Sequence, residues 1–187
     1  MILTGVASVG SGVGFMLATR LVASGLTHDG FGAFTVGRQT AIVLSPVASV
    51  AMGVAVTRWV SQSTDEDSAR AIGQWGLILA AGATFSIGII FIIAAPQITE
   101  ILFSSPEHTA VLGAAFGYLI ASVSVEVIAS FHRGAGRLGI ANLLRAGSGL
   151  AAPVGILIHR SFSANTGNSS GVLFAAAIAT GIVALPA

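Results

Sequence analysis

The chain has 187 residues, 54% of them apolar and only 8% charged, with a formal net charge of +1 and a mean hydropathy of +0.91. A soluble domain carries about 25% charged residues, so this composition excludes an ordinary water-facing globule and points to lipid as the main solvent. The near-zero charge, carried on the basic side by arginine alone, gives no field for nucleic acid, and the absence of cysteine removes disulfides, thiolate catalysis and cysteine metal sites.

Divided into spans of roughly 20 residues with short loops, the chain predicts an all-α, polytopic bundle of five or six transmembrane helices forming a single unit over residues 1–187. Span one covers residues 2–26. Nothing charged precedes Arg20 and the apolar run is too long for a secretory signal peptide, so the segment reads as a membrane helix that stays. Its Gly10 and Gly14 form a GxxxG step. A polar break at Thr27, His28, Asp29 and Gly30 leads into span two, residues 31–60, with Pro46 expected to bend it. Asp65, Glu66 and Asp67 mark a wet loop. Span three, residues 72–95, carries no ionisable side chain from Gly76 to Ala95. Residues 96–108 read as a loop, in part interfacial because Ile101, Leu102 and Phe103 interrupt it. Span four, residues 109–131, holds the carboxylate Glu126. Span five, residues 140–158, places Arg145 facing the bundle if it begins near Ile140. A sixth span runs over residues 171–187. Continuous apolar runs of this kind are not the short alternating segments of a membrane β-barrel.

Arginine is asymmetric between the two sets of loops. Arg58, Arg70, Arg133, Arg137 and Arg145 fall on one side, whereas Arg160, and Arg20 and Arg38 within their helices, lie towards the other. The positive-inside rule then predicts a multi-pass protein of the plasma membrane with a cytoplasmic N-terminus.

The segment from Leu26 to Phe34, with its Phe31-Gly32-x-Phe34 step, resembles the first outer loop of polysaccharide flippases (Wzx-type) of the multidrug/oligosaccharidyl-lipid/polysaccharide exporter superfamily, with Thr27 where the family has glycine. The stretch Gly53 to Val60 resembles the end of that family's second span. Phe131 to Asn142, with Arg133, Gly134, Gly136 and Arg137, resembles its basic inner loop after span four. The resemblance implies alternating-access transport of a lipid-linked oligosaccharide without bond breakage, hence no enzyme activity and no cofactor. Family members have 12 to 14 helices in two bundles, so the chain would correspond to the N-terminal half, with the second half as a partner alongside the bilayer and the lipid-linked glycan. Two alternatives stand beside it: a multidrug or cation-coupled exporter of the same superfamily, and a non-transporting membrane fragment or structural subunit. The first span lacks the acidic residue that cation-coupled exporters commonly use.

Charges inside a bilayer usually face a cavity, because insertion at mid-membrane costs about 2.5–3.5 kcal/mol. Arg20 and Arg38 are therefore candidates for a substrate cavity that grips phosphate, with snorkelling to the head groups as the plain alternative. Gln39 is a further cavity candidate, although it points about 100° from Arg38 on a helix. Glu126 is the coupling-ion candidate; its structural reading is an ion pair with Arg133 or another arginine. His28, His108, His132 and His159 show no metal-ligand spacing. Gly134-x-Gly-x-x-Gly139 follows a membrane span instead of a strand and lacks the context of a dinucleotide fold. Gly113 and Gly117 form a second GxxxG step. Asn168-Ser169-Ser170 is a glycosylation sequon.

Overall fold

The computed structural model describes residues 2–49, 52–162 and 169–183. Among them the chain is all-helical: α1 (Ile2–Ala23), α2 (His28–Ala48), α3 (Met52–Gln62), α4 (Glu66–Ile93), α5 (Ala95–Phe103), a 3-10 turn at Pro106–His108, α6 (Thr109–Gly134), α7 (Leu138–Phe162) and α8 (Ser169–Ile182).

Three of these helices, α4, α6 and α7, are long and apolar enough to cross a membrane, or four spans if α2 and α3 count as one bent pair. This is fewer than five or six. The apolar stretch Gly12–Ala23 of α1 and the whole of α8 are shorter, and at 1.5 Å per residue α8 falls short of a hydrocarbon core of about 30 Å. The predicted second span is broken: α2 ends at Ala48, and α3 departs at 42°. Pro46 lies just before the break. It has no N–H for the carbonyl four residues back, and the Ser49 hydroxyl donates to the Pro46 carbonyl at 3.0 Å as the helix closes.

Local chemistry sets the other boundaries. Thr27 is the N-cap of α2, its Oγ1 accepting the Gly30 N–H at 3.2 Å. The helix therefore starts at His28, and Phe31, Gly32 and Phe34 lie in its first turns instead of in a loop; Phe34 is buried in the core. Pro96 sits in the first turn of α5, beyond the Ile93 end of α4. The segment expected to be a loop thus opens with a short helix, which leaves Ile101 exposed.

Asp65 caps α4, accepting the Ser68 N–H at 2.7 Å and the Ser68 hydroxyl at 2.8 Å. The backbone hydrogen bond from Ser68, and then the one from its hydroxyl, hold the Asp65 carboxyl below its ordinary range. A lowered folded-state pKa stabilises the helix start above the unfolded carboxylate range, near pH 4. That support is lost as pH falls through the lower folded value. Asp65→Ala is accordingly expected to fray the first turn of α4 at neutral pH, read as faster hydrogen exchange at Ser68 with little effect on α6.

Helix α6 is the hub. It packs against α2, α3, α4, α7 and α8, while α1 packs mainly on α7. Over their most apolar windows 56% of α6 is buried but only 22% of α4. α6 takes the interior position, with Val111, Leu112, Ala115, Leu119, Val123 and Val127 buried around it. α4 instead turns small residues inward: Gly73, Gly76, Ala80, Thr84 and Gly88 form a stripe at steps of three and four. A Cβ on Gly76 would stand 2.4 Å from Val56, and one on Gly88 2.4 Å from the Phe116 ring. Its large side chains point outward, with Phe85 69% and Ile92 78% exposed. Small residues against protein and large apolar ones outside suit hydrocarbon surroundings better than water.

The two GxxxG steps differ. A Cβ on Gly14 would lie 2.2 Å from the Gly149 carbonyl oxygen, so α1 and α7 meet backbone to backbone there. Gly113 has nothing within 4 Å of its virtual Cβ, and Gly117 only an ordinary contact at 3.8 Å to Ala177. The second step is therefore no close-packing motif. Tight approaches occur instead at Gly134, 2.7 Å from the Thr57 carbonyl oxygen, and at Gly155, 2.4 Å from that of Ala175.

Candidate functional site

Between α2 and α3 on one side and α7 on the other lies an open cavity of about 520 Å³, lined also by residues of α6 and α8. Three arginines reach it, Arg38 from α2, Arg133 from α6 and Arg145 from α7, against one carboxylate, Glu126. Their placement follows from helix geometry. Arg38 lies ten residues into α2, about 15 Å from its start, on the face that also presents Ile42, Ser45 and Ser49 to the cavity. Arg145 lies seven residues into α7, which begins at Leu138, and so points back at the second half of α6.

Arg145 Nη2 donates to Glu126 Oε1 at 2.5 Å, both side chains being partly exposed. The Ser130 hydroxyl donates to the same oxygen at 3.4 Å. α3 covers this group at Gly53, whose virtual Cβ would stand 3.1 Å from Glu126 Oε1 and from Ser130 Oγ. Thr57 fastens α3 nearby, its hydroxyl 2.7 Å from the Gly53 carbonyl and 3.1 Å from the Ser130 carbonyl.

Arg38 is held differently. Its guanidinium carbon lies 4.4 Å from the centre of the Phe15 ring of α1, a cation–π contact. Its Nε is buried and has no hydrogen-bond partner among the described residues. Several hydroxyls around the cavity are already committed: those of Ser49, Ser148 and Thr180 donate to carbonyls of their own helices. The guanidinium groups are its charged donors for a ligand, beside the hydroxyls of Ser45, Tyr118 and Ser122. Planar guanidinium forks match the oxygens of phosphate and carboxylate, so the chemistry of the cavity is that of an anion site.

The structure separates the four residues singled out from the sequence. Arg38 and Glu126 share the cavity. Arg20 is exposed in the last turn of α1 and does not line it. Gln39 is also exposed and lines a second, apolar groove of about 560 Å³ between α2, α4 and α5, with Val43, Phe91 and Ile101. The turn of about 100° between Arg38 and Gln39 puts them on different faces of α2. Arg133 and Arg145 were not among the cavity candidates, although Arg145 was expected to face the bundle and Glu126 to have an arginine partner, which is Arg145. Arg145 signals itself only through its position inside an apolar stretch, and its pairing with a residue 19 positions away is a tertiary fact.

Of the histidines, His108 Nε2 approaches Asp29 Oδ2 at 3.4 Å and so links the 3-10 turn to the start of α2. His132 is buried near the end of α6, its ring 5.4 Å from that of Phe131. Among the described residues no group of three or more metal-ligating side chains occurs. Gly134, Gly136 and Gly139 occupy the end of α6, the turn after it and the start of α7, with Gly136 at φ +74°. They make a helix–turn–helix connection, not a nucleotide loop. Asn168 lies outside the described residues, so the sequon is not placed.

No family model matches the chain, and no curated protein or solved structure matches it either. Fold and site together define a helical bundle, compatible with a multi-pass membrane protein, that holds an arginine-lined cavity.

Proposed function

We propose that the chain is a membrane transporter module that admits an anionic head group into the cavity between α2 and α7, in the manner of the lipid-linked oligosaccharide flippases its sequence resembles. One observation carries the reading: among the described residues three arginines and a single carboxylate line one cavity, and the buried Nε of Arg38 has no hydrogen-bond partner. Cations inside a bilayer are costly, and a phosphate or pyrophosphate linkage supplies acceptor oxygens for them. Nothing in such a step requires a bond to break. The cavity must only be wet, cationic and able to open to each face in turn.

In this reading the bundle lies in the plasma membrane with its arginine-rich end in the cytoplasm. Arg133, Arg137 and the start of α7 lie at that end. A second bundle then covers the open side of the cavity. The Glu126–Arg145 pair argues against a coupling-ion role for Glu126. The cavity's excess of positive charge also argues against an exporter of small cations.

The test is reconstitution of the purified chain into liposomes carrying a fluorescent lipid-linked glycan, with and without a longer natural version of the protein. Outward movement of the label by either preparation, above that of empty liposomes, is the expected result. Movement by neither identifies a non-transporting membrane component and ends the transport reading.

A further inference from the structure

The ion pair inside the cavity bears on what the cavity selects, an inference that rests on the anion-binding reading above. Of the three arginines, Arg145 alone is held by the cavity's carboxylate. That carboxylate is seated from three helices: by Arg145 of α7, by the Ser130 hydroxyl of α6, and by the close approach of α3 at Gly53. Arg38, in contrast, makes no ion pair among the described residues and rests on the Phe15 ring. We propose that Glu126 is a built-in stand-in for the ligand anion, which occupies Arg145 while the cavity is empty and must be displaced when an anion binds.

This arrangement determines specificity. A monocarboxylate offers Arg145 nothing that Glu126 does not already provide. A phosphate or pyrophosphate group carries more charge and more acceptor oxygens. It can displace Glu126 from Arg145 and still engage the guanidinium of Arg38 or Arg133. The cavity thereby takes phosphate-class polyanions and refuses simple carboxylates, although arginine by itself binds both. Glu126 touches no ligand in this scheme; it sets the threshold a ligand must exceed.

The experiment is calorimetric titration of the purified full chain in non-ionic detergent with inorganic pyrophosphate and, separately, with acetate. Wild type is expected to bind pyrophosphate at least tenfold more tightly than acetate. Glu126→Gln is expected to bind both more tightly, pyrophosphate by about tenfold, with the preference between them narrowed. Glu126→Asp, which keeps the charge, should keep the preference. Should Glu126→Gln lose its helical structure, Gly53→Ala carries the same expectation, because the added methyl crowds Glu126 Oε1. Unchanged or weaker pyrophosphate binding in these variants, with wild type still binding, overturns the competitor role and leaves the anion cavity standing. Absence of pyrophosphate binding in wild type and variants alike overturns both.

Discussion

Gly14→Ala is expected to loosen α1 from α7 and destabilise the bundle, whereas Gly113→Ala, in the same sequence motif, is expected to be neutral or stabilising. Inside a helix alanine gains up to about 1 kcal/mol over glycine from backbone entropy alone. At Gly113 nothing opposes that gain, since no atom lies within 4 Å of the added carbon. At Gly14 the carbon would stand 2.2 Å from the Gly149 carbonyl oxygen and 2.7 Å from its carbon. These are backbone atoms of α7 and cannot rotate aside, so the helices must separate. Overpacking of this kind typically costs about 1–3 kcal/mol, and here the lost helix–helix contact adds to it. Thermal unfolding of the two variants in detergent micelles gives the comparison. A Gly14→Ala midpoint equal to or above that of Gly113→Ala would show that α1 does not pack on α7 as described.

The second large effect concerns the arginines. Arg38→Ala is expected to reduce glycolipid movement in liposomes by at least tenfold, and Arg20→Ala to leave it within about twofold. A hydrogen bond to a charged group contributes about 1.5–3 kcal/mol, and each 1.4 kcal/mol is a factor of ten. Arg38 brings such donors into the cavity; Arg20 is exposed at the end of α1, away from it. Arg38→Lys separates charge from geometry. It keeps the cation but loses the planar fork and the stacking on Phe15, so a partial loss is expected. Equal rates for Arg20→Ala and Arg38→Ala in a working preparation would remove the cavity assignment.

Hydropathy made the helices legible and ranked them misleadingly. The span with the cleanest apolar run became α4, the least buried of the three membrane-length helices, because many of its outward positions carry large apolar residues, which suit hydrocarbon surroundings. The central helix is α6, which carries Glu126 and a high content of alanine, glycine and serine. Centrality depends on small residues around the whole helix, and a window average of hydropathy dilutes that signal. The break between α2 and α3 was half legible: Pro46 announced a bend, but not that α3 would leave at 42° and close over Glu126 through Gly53.

Composition alone set the apolar character of the chain, with 8% charge against the roughly 25% of a soluble domain. Local sequence specified the turns, through Thr27, Asp65 and Pro96 at helix starts, because caps and proline act within one helical turn. The choice of Gly14 over Gly113 as a contact, and the cavity, were decided by tertiary structure. Both depend on which face of one helix meets another. Arg38, Arg133 and Arg145 come from three helices, and no spacing along a chain records that three guanidinium groups and one carboxylate share a space of about 520 Å³.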